Sequence, residues 1–300
     1  MRISGFSFAR NAATLDYPLR EALLSVLPLV DELVVALAPG DPGDDTRGIV
    51  ESLDDPRVRI VDGVWEESRR QEAYADLTNV ALEACEGDWC VYVQADEALH
   101  EEDLPGLRAR LESLSGDRRV QGLLFDYLHF FGDYDHLQTG HGWYQREIRA
   151  VRNGIGVRSV RDAQSFRFAD ERRLTVARAG ARIFHYGWVR PPRNMQTKVR
   201  EFWSHRDGRE IAEARYRTGV EFDYGPLGRL DTFEGTHPAV MRDRIEAMDW
   251  ADSLREEDPP DMQRTMLHKD ERLKYRLLTG IRRLTGVDLN HKNHGRVLRV

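Results

Sequence analysis

Cysteine is scarce in this sequence, which has only Cys85 and Cys90 among its 300 residues. The first falls at the end of a predicted helix and the second inside the strand that follows it. Two such thiols fit a buried core better than a disulfide framework or a cysteine-ligated metal site. We therefore expect a protein of the reducing cytoplasm.

Long hydrophobic runs are also missing, since no apolar run reaches the roughly 18 residues that a membrane-spanning helix needs. The first residues lack the apolar core of a secretory signal and already have the pattern of a strand. Positive charge is in deficit, with a formal net charge of −7, and this argues against a nucleic-acid partner. A chain with 41% hydrophobic and 32% charged residues is typical of a soluble globular protein with one large or two smaller domains.

The most informative stretch that is present covers residues 88–97. Residues 89–93 are a continuous run of aromatic and β-branched side chains, typical of a strand buried on both faces in a parallel sheet. The run ends in Gln-Ala-Asp-Glu at 94–97, at the edge where open α/β sheets bind their ligands. The adjacent carboxylates of Asp96 and Glu97 would repel each other unless a cation offset their charge. Their presence at this edge therefore indicates a binding site for a hard divalent metal ion. The alternative is a polar strand end at which Glu97 caps the next helix.

Strand and helix patterns alternate through the first third of the chain. Strands are predicted at residues 2–8, 30–37, 58–61 and 89–93, and helices at about 16–27, 46–53 and 70–85. This alternation implies an α/β fold with a mostly parallel sheet, flanked by helices and joined by right-handed crossovers. Further elements are a helix at 103–114, strands at 120–129, 147–151 and 182–185, and helices at about 195–213 and 238–255.

The order of these motifs resembles the family 2 glycosyltransferases of the GT-A fold. Four segments carry the resemblance, at residues 8–11, 40–46, 75–79 and 87–97. The resemblance implies a GT-A-like catalytic domain at residues 1–190, followed by a helical C-terminal extension at 191–300. It also implies transfer of a sugar from a nucleotide-diphospho-sugar donor, with Mn²⁺ or Mg²⁺ as cofactor and usually with inversion at the anomeric carbon.

The same resemblance assigns roles to single residues. It places Arg10, Asn11, Asp41 and Asp44 around the nucleotide base and ribose, and Asn79, Gln94 and Ala95 elsewhere on the donor side. Asp96 matches the last residue of the Asp-x-Asp motif, which meets the metal. His185 matches a late histidine that joins the metal or the diphosphate. The alternative for His185 is a strand-end imidazole that is hydrogen-bonded to the backbone.

Two positions depart from the family pattern. The family usually has Asp where this chain has Gln94, an amide that can accept a hydrogen bond but brings no charge. Ala38 replaces the Asp that directly follows the second strand, and Asp41 is the candidate substitute. These departures leave a non-catalytic nucleotide-sugar-binding protein as one alternative. A sugar-phosphate nucleotidyltransferase is the other, although residues 8–11 lack the Gly-rich phosphate loop that it would need.

An inverting transfer needs a carboxylate that deprotonates the acceptor hydroxyl. Asp162 is the first candidate for this base, and Glu147 is the reserve. Because Arg158 and Arg161 lie close to Asp162 in the sequence, an ordinary ion pair is the alternative role for that carboxylate.

The chain ends in a basic segment, since residues 271–300 carry eight Lys or Arg against two acids. Leu273, Leu277, Ile281 and Leu284 would form one apolar stripe of a helix there. We expect this stripe to pack on the catalytic domain or against a second copy in a homodimer. The alternative is peripheral contact with the inner face of an anionic membrane, near a lipid-linked acceptor. A glycan is the other candidate for the acceptor of the transferred sugar.

Overall fold

The computed structural model describes residues 1–262, 267–287, 289–290 and 292–300. Thirteen strands lie in this part of the chain: β1 Ile3–Ala9, β2 Glu32–Leu37, β3 Val58–Asp62, β4 Trp89–Tyr92, β5 Glu97–Leu99, β6 Gly122–Phe131, β7 His136–Leu137, β8 Arg146–Arg152, β9 Val157–Val160, β10 Ser165–Phe168, β11 Val176–Trp188, β12 Asp231–Thr232 and β13 Val297–Leu298. Its α-helices are α1 Leu19–Val26, α2 Thr46–Glu51, α3 Glu72–Glu83, α4 Leu104–Leu114, α5 Pro192–Asp207, α6 Arg209–Arg215, α7 Arg242–Glu246 and α8 Leu273–Thr285.

One mixed sheet organises the fold. Strands β3, β2, β1 and β4 lie side by side and parallel, as the alternating strand and helix patterns predict. Strand β8 joins β4 antiparallel, β6 joins β8 antiparallel, and β11 runs parallel to β6. The short strand β5, directly after β4, pairs antiparallel with β11. The predicted α/β fold with a parallel first half of the sheet is confirmed.

Helices cover both faces of the sheet because successive side chains of each strand point to opposite faces. Leu33 and Val35 of β2 belong to the core that also contains buried residues of α1 and α4. Val34, between them, belongs to the core that contains Leu77 of α3. Because both faces are buried, all six residues of β2 are buried, which explains the continuous apolar pattern of residues 33–37.

The region between β8 and β11 departs from the predicted pattern. Strands β9 and β10 form a separate antiparallel hairpin that the sequence analysis did not predict. Strand β11 starts at Val176, six residues before its predicted start at 182, because a shift in its pairing register between Arg178 and Arg182 breaks the alternating pattern. This longer strand carries the chain across the sheet to the edge where β4 also ends.

The predicted helical extension at 191–300 is helical only in part, and its residues 263–266, 288 and 291 lie outside the described residues. The helix predicted at 195–213 is divided into α5 and α6 at Gly208, which has a φ of 97°. The helix predicted at 238–255 is wrong as a continuous element, since only α7 and short 3-10 turns form there. Trp250 is buried and donates to the carbonyl oxygen of Gly132, so tertiary packing determines this path.

The predicted packing of the C-terminal stripe on the catalytic domain is wrong. Leu273, Leu277, Ile281 and Leu284 of α8 are 71%, 60%, 43% and 90% exposed. The opposite face of the helix packs instead, since Thr279 accepts a hydrogen bond from the backbone of His141 and Tyr275 lies against the His141 ring. The contacts of this opposite face with His141 therefore determine the orientation of α8 on the protein.

No helix in the described part of the chain is long and apolar enough to cross a membrane. Cys85 and Cys90 are buried free thiols, as their positions in the sequence predict. The chain end returns to the sheet, where β13 pairs with the start of β11.

Candidate functional site

The ends of β4 and β11 bring two predicted site residues together. Asp96 lies in the turn between β4 and β5, and the pairing of β5 with β11 sets Glu97 opposite His185. The Nε2 atom of His185 is consequently 3.9 Å from the Oδ2 atom of Asp96. Both residues are 8% exposed, so a carboxylate and an imidazole share a nearly dehydrated position at the carboxyl edge of the sheet.

A glycine leaves open space beside these two side chains. A Cβ atom at Gly187 would lie 2.5 Å from Nε2 of His185 and 2.7 Å from Oδ2 of Asp96, closer than atoms in real structures approach. Any other residue here would therefore intrude on the volume next to both atoms. One oxygen and one imidazole nitrogen are suitable ligands for Mn²⁺ or Mg²⁺. Among the described residues no group of three or more His, Cys, Asp or Glu side chains forms a metal site, so the protein offers two ligands here.

Helix α5 contributes a cation to the same position. The Nζ atom of Lys198 donates to Oδ2 of Asp96 at 3.1 Å and to the carbonyl oxygen of Gly187 at 2.6 Å. Burial and the charge of Arg190 lower the pKa of Lys198 to about 7. Burial opposes ionisation of Asp96, but Lys198, His185 and Arg190 outweigh it and hold the pKa of this carboxyl well below its usual range. Asp96 is therefore an anion, and the protonated form of Lys198 is its counter-charge.

A second histidine determines which nitrogen of His185 carries the proton. His129 on β6 is opposite His185 on β11, and their Nδ1 atoms are 3.0 Å apart. Burial lowers the pKa of His129 to about 3 and that of His185 to about 4, so both rings are neutral at pH 7. Nε2 of His129 lies 2.7 Å from the carbonyl oxygen of Tyr144, which only accepts, so this nitrogen carries the hydrogen. The bare Nδ1 of His129 then accepts from Nδ1 of His185, which assigns the lone pair of His185 to Nε2, facing Asp96.

A buried guanidinium lies on the cationic side of this cluster. Arg190 is inaccessible to solvent, and its Nη1 atom donates to the carbonyl oxygen of Leu15 at 2.6 Å. Its Nε and Nη2 atoms have no hydrogen-bond partner within the described part of the chain. The guanidinium carbon is 4.5 Å from the centre of the Tyr17 ring, and Lys198 Nζ is 4.7 Å from the same ring. Since buried donors without partners are costly, this arrangement favours an anionic ligand that completes them.

The second acid of the 94–97 stretch has a different partner. Glu97 accepts hydrogen bonds from Nε and Nη2 of Arg149 at 2.8 and 2.7 Å, and from the Tyr127 hydroxyl at 2.7 Å. The side chains of Glu97 and Arg149 are both fully buried. The adjacent acids Asp96 and Glu97 therefore have separate cations, Lys198 and Arg149, instead of sharing one. The expected alternative, in which Glu97 caps a helix, is not found, because Glu97 is paired with Arg149 of β8 inside the sheet.

The four residues expected around the nucleotide lie together beyond the ends of β1 and β2. Arg10 donates to the Asp41 carboxylate at 3.0 Å, and the side-chain oxygen of Asn11 accepts from the Asp41 backbone at 2.7 Å. Asp44 accepts two hydrogen bonds of 3.0 Å from the loop that follows β1. The guanidinium of Arg10 is 5.2 Å from the centre of the Trp65 ring. This cluster combines an aromatic face with amide, guanidinium and carboxylate groups.

Helix α5 also contacts this nucleotide-side cluster. The Oε1 atom of Glu201 lies 3.4 Å from Nη1 of Arg10 and 3.3 Å from Nδ2 of Asn11. Glu201 and Lys198 are three residues apart and so project from the same helix face. One face of α5 therefore contacts both Asp96 and the residues that the sequence analysis assigned to the nucleotide.

Two predicted site residues hold the β9–β10 hairpin against the sheet. The side chain of Asn79 on α3 donates to the backbone oxygen of Ser159 at 3.1 Å and accepts from its backbone nitrogen at 2.7 Å. Glu147 on β8 is 1% exposed and accepts from Gln164 at 3.0 Å and from Asn293 at 2.7 Å. Burial raises the pKa of Glu147 above its usual range. Both side chains are thus engaged in anchoring the segment that carries Gln164.

The loop between β9 and β10 brings Asp162 beside the end of β4. The side-chain amide of Gln94 donates to the carbonyl oxygen of Ala163 at 3.3 Å. Ala95, which is half-buried, stands between Gln94 and Asp96 in the chain. Arg161 and Ala163 flank Asp162 with φ angles of 59° and 60°. Non-glycine residues in this left-handed region are strained and cluster at functional sites. Half-buried Asp162 has no ion pair among the described residues, so the alternative pairing with nearby arginines is not found.

The chain has a weak similarity to several solved structures. One is the glucosyl-3-phosphoglycerate synthase of Mycobacterium tuberculosis in complex with Mn²⁺, UDP and glucosyl-3-phosphoglycerate, at 21% identity and a TM-score of 0.30 over 44% of this chain and 45% of that one. Another is residues 1–349 of TarS from S. aureus in complex with UDP-GlcNAc, at 19% identity and a TM-score of 0.33 over 48% of this chain and 37% of that one. A third is the mannosyl-3-phosphoglycerate synthase of Rubrobacter xylanophilus, at 20% identity and a TM-score of 0.29 over 43% and 41% of the two chains.

The chain therefore spans less than half of the length of each of these solved proteins. No protein-family model matches the chain, and no curated protein matches it. The roles of individual residues follow from the geometry of this chain alone.

Two residues of the cluster were not among the sequence predictions. His129 stands two residues before the end of β6, and Arg190 stands two residues after the end of β11. Asp96 was selected because polar side chains at the carboxyl ends of strands line the ligand site of an open α/β sheet. The same reasoning could have selected His129 and Arg190, because the carboxyl ends of neighbouring parallel strands meet at one edge. The contact between Glu201 and Arg10 has no comparable signal, since it joins residues far apart in the sequence.

Proposed function

We propose that this protein is a metal-dependent glycosyltransferase that moves a sugar from a nucleotide-diphospho-sugar to a hydroxyl acceptor with inversion at the anomeric carbon. The observation that carries the proposal is the meeting of Asp96, His185 and Lys198 at the carboxyl edge of the sheet. A carboxylate, an imidazole with a free Nε2 lone pair and a buried ammonium provide, in one place, the groups that bind a cation and a diphosphate.

The residues present fit a divalent cation. Asp96 and the Nε2 atom of His185 would hold it, and Gly187 keeps the adjacent volume free. With two protein ligands, the remaining positions of the ion are left for phosphate oxygens and water, as Mg²⁺ and Mn²⁺ prefer. A bound cation here would stabilise the charge that develops on the leaving diphosphate.

Lys198 and Arg190 would bind the diphosphate. Lys198 now neutralises Asp96 at 3.1 Å, and a cation bound to Asp96 would take over that role and release the ammonium for a phosphate oxygen. Arg190 has two guanidinium nitrogens without a partner in the described part of the chain and lies on the same Tyr17 ring as Lys198. Charge-assisted hydrogen bonds to phosphate are among the stronger polar contacts in proteins, so these two side chains are the main contributors to donor affinity in this scheme.

His129 acts as a positioning residue in this scheme. Its hydrogen bond from the Nδ1 atom of His185 holds the imidazole in the tautomer whose Nε2 lone pair faces Asp96. Histidines that ligate metals are commonly oriented by such a partner on the other ring nitrogen.

The nucleoside would lie against the cluster of Arg10, Asn11, Asp41 and Asp44, with the Trp65 ring behind Arg10. Glu201 of α5 now accepts hydrogen bonds from Arg10 and Asn11. A ribose hydroxyl can replace a carboxylate as the acceptor at these donors. Donor binding would therefore exchange the α5 contacts of both Glu201 and Lys198 for contacts with the donor.

Asp162 is the proposed base that accepts the proton of the acceptor hydroxyl. It lies in a strained loop next to Gln94 and has no ion pair in the described residues, so its carboxylate is free to accept a proton. Glu147 is less suited to this role because its carboxyl is buried and hydrogen-bonded to Gln164 and Asn293.

The test measures release of nucleoside diphosphate from UDP-, GDP-, CDP- and dTDP-sugars in Mn²⁺, with pooled glycan and lipid acceptors. The proposal expects release from at least one donor, lowered ~100-fold or more in Asp162→Asn with nucleotide binding intact. The matched control Asp170→Asn, an exposed carboxylate of the turn after β10, should keep wild-type turnover.

Two other outcomes would overturn the proposal. Metal-dependent nucleotide binding without turnover of any donor would assign the protein to the non-catalytic binders. Formation of a nucleotide-sugar from a sugar phosphate and a nucleoside triphosphate, with release of pyrophosphate, would assign it to the nucleotidyltransferases.

A further inference from the structure

The exposed apolar side chains of this protein are concentrated in one short segment. Among the described residues, fourteen large hydrophobic side chains are exposed, and six of them lie between positions 273 and 289. Four belong to α8 and the other two follow it: Leu273, Leu277, Ile281, Leu284, Val287 and Leu289. Scattered exposed hydrophobic residues are ordinary on a protein surface, but a cluster of this kind marks an interaction site.

The four helical members form one stripe that faces away from the protein. At 3.6 residues per turn, Leu273, Leu277, Ile281 and Leu284 fall within about a quarter of the helix circumference. The opposite side of α8 is held to the loop after β7, where Thr279 accepts from the His141 backbone and Arg282 donates to the carbonyl oxygen of Thr139. The stripe is therefore presented outward by a helix whose other face is fixed.

Basic side chains border the stripe on both sides. On the helical projection, exposed Lys274 lies along one border, and exposed Arg276 lies along the other with Arg283. Arg283 pairs with Asp231 at 2.8 Å. Helix α8 itself contains four Lys or Arg and no acid, in a chain whose formal net charge is −7. Arg282 is bound on the opposite side of the helix and Arg283 is paired with Asp231, so Lys274 and Arg276 are the positive charge that α8 presents beside the stripe.

We propose that the outward face of α8 binds the surface of an anionic lipid membrane. In this arrangement the aliphatic stripe enters the boundary between headgroups and acyl chains, while Lys274 and Arg276 extend to the phosphate groups on either side. Anionic headgroups complement the local positive charge, and the helix is too short and too polar to span the bilayer. This inference does not rest on the proposed catalytic activity.

A second copy of this chain fits the same surface less well. A two-fold interface of α8 on α8 would place the stripe of one copy on the stripe of the other. The Lys274 and Arg276 borders of both copies would then be brought together, with no acid on either helix to offset them. Like charges at such a distance repel, so a lipid surface is the occupant that uses both the stripe and its borders.

The test is co-sedimentation of the full chain with vesicles of phosphatidylcholine alone or mixed in equal parts with phosphatidylglycerol. The proposal expects binding to the mixed vesicles, weaker binding as salt is raised, and little binding to phosphatidylcholine alone. The double variant Leu277→Ser/Leu284→Ser should lower the partition coefficient about tenfold or more. Because both leucines are exposed, this variant should fold normally, which circular dichroism would verify.

A matched control and a charge variant complete the experiment. Ile211→Ser removes an aliphatic side chain that is 57% exposed on another helix, and it should bind like the wild type. Lys274→Glu/Arg276→Glu should lose the preference for phosphatidylglycerol. The proposal is overturned if the wild type does not bind the mixed vesicles, or if Leu277→Ser/Leu284→Ser binds them as well as the wild type. A concentration-dependent dimer in light scattering that Leu277→Ser/Leu284→Ser abolishes would also overturn it and assign the face to a second copy.

Discussion

The imidazoles of His129 and His185 meet Nδ1 to Nδ1 at a distance of 3.0 Å. Two nitrogens at this distance share one hydrogen, and the carbonyl oxygen of Tyr144 beyond His129 decides that it belongs to His185. The consequence is a neutral pair of rings in which the free lone pair of His185 points toward Asp96. Stability, metal affinity and donor affinity should each depend on this cluster in ways that can be separated experimentally.

The first prediction concerns the dependence of stability on pH. Burial lowers the pKa of His185 to about 4 and that of His129 to about 3 in the folded protein, against about 6.5 for an unperturbed histidine. Below pH 6.5 the unfolded chain takes up protons that the folded chain does not. The stability that these groups contribute is therefore present above pH 6.5 and lost as pH falls toward 4.

Urea unfolding between pH 7 and pH 5 would measure this loss, because most carboxylates titrate below that interval. The free energy of unfolding should fall toward pH 5, at ~1.4 kcal/mol per pH unit for each histidine that protonates only when unfolded. The His129→Asn variant should lose less stability over the same interval. Equal losses in the variant and the wild type would contradict the neutral pair.

The second prediction concerns His129 and the metal. His129→Phe keeps an aromatic ring on Tyr127 but removes the acceptor for His185, and it should weaken Mn²⁺ binding by about 10- to 100-fold. His129→Asn retains an acceptor near the Nδ1 position and should recover part of the loss. Titration with Mn²⁺ followed by electron paramagnetic resonance would measure both, with His136→Asn as a control on a strand outside the cluster.

Nuclear magnetic resonance of the histidine ring nitrogens gives an independent reading of the same hydrogen bond. In the wild type without metal, His185 should be the Nδ1–H tautomer, and in His129→Phe this preference should decrease. An Nε2–H tautomer of His185 in the wild type would refute the assigned direction of the hydrogen bond even if metal binding were normal.

The third prediction separates the two roles of Lys198. Because the ammonium competes with a cation for Asp96, Lys198→Met should bind Mn²⁺ at least as tightly as the wild type in the absence of nucleotide. The same variant should bind a nucleoside diphosphate about 10- to 100-fold more weakly, since a charge-assisted hydrogen bond contributes ~1.5–3 kcal/mol. Calorimetric titrations with each ligand would measure the two effects. Weaker Mn²⁺ binding together with unchanged nucleotide binding would reverse the assignment.

The fourth prediction compares a buried and an exposed ion pair. Glu97→Gln removes one charge from a pair with Arg149 that is fully buried, and it should lower the free energy of unfolding by ~3–5 kcal/mol. Asp126→Asn is the matched control, because Asp126 pairs with Arg146 on the same strand β8 but is 51% exposed. The control should change stability by ~0–1 kcal/mol in urea denaturation. Similar losses in both variants would show that the Glu97 pair is not a buried structural contact.

Local sequence patterns were sufficient for the parallel half of the sheet. Strands β2 and β4 are nearly continuous apolar runs because both of their faces are buried. Each of the first four strands lies within two residues of its predicted bounds. Asp96 could be selected for the same reason, since it is the first carboxylate after such a run. The likeness to a family, and not the local pattern, supplied His185, which lies ten residues into a strand whose register shifts.

The features that the sequence analysis missed depend on contacts between distant residues. Strand β9 is held by the amide of Asn79, eighty positions earlier, and a strand of only four residues gave no clear signal in the sequence. The orientation of α8 follows from hydrogen bonds of Thr279 and Arg282 to the loop after β7. An apolar stripe alone therefore predicted burial, whereas the polar face of this helix is the side that packs.

Binding of nucleoside diphosphates, with and without Mn²⁺, to the wild type and to Asp96→Asn is the most direct test of the proposed site. A thermal-shift panel of UDP, GDP, CDP and dTDP would measure it, with Asp126→Asn as the control for loss of a carboxylate. At least one nucleotide should stabilise the wild type and the control only when Mn²⁺ is present, and this metal-dependent stabilisation should vanish in Asp96→Asn. The same metal-dependent shift in Asp96→Asn would contradict a cation held by Asp96 and His185.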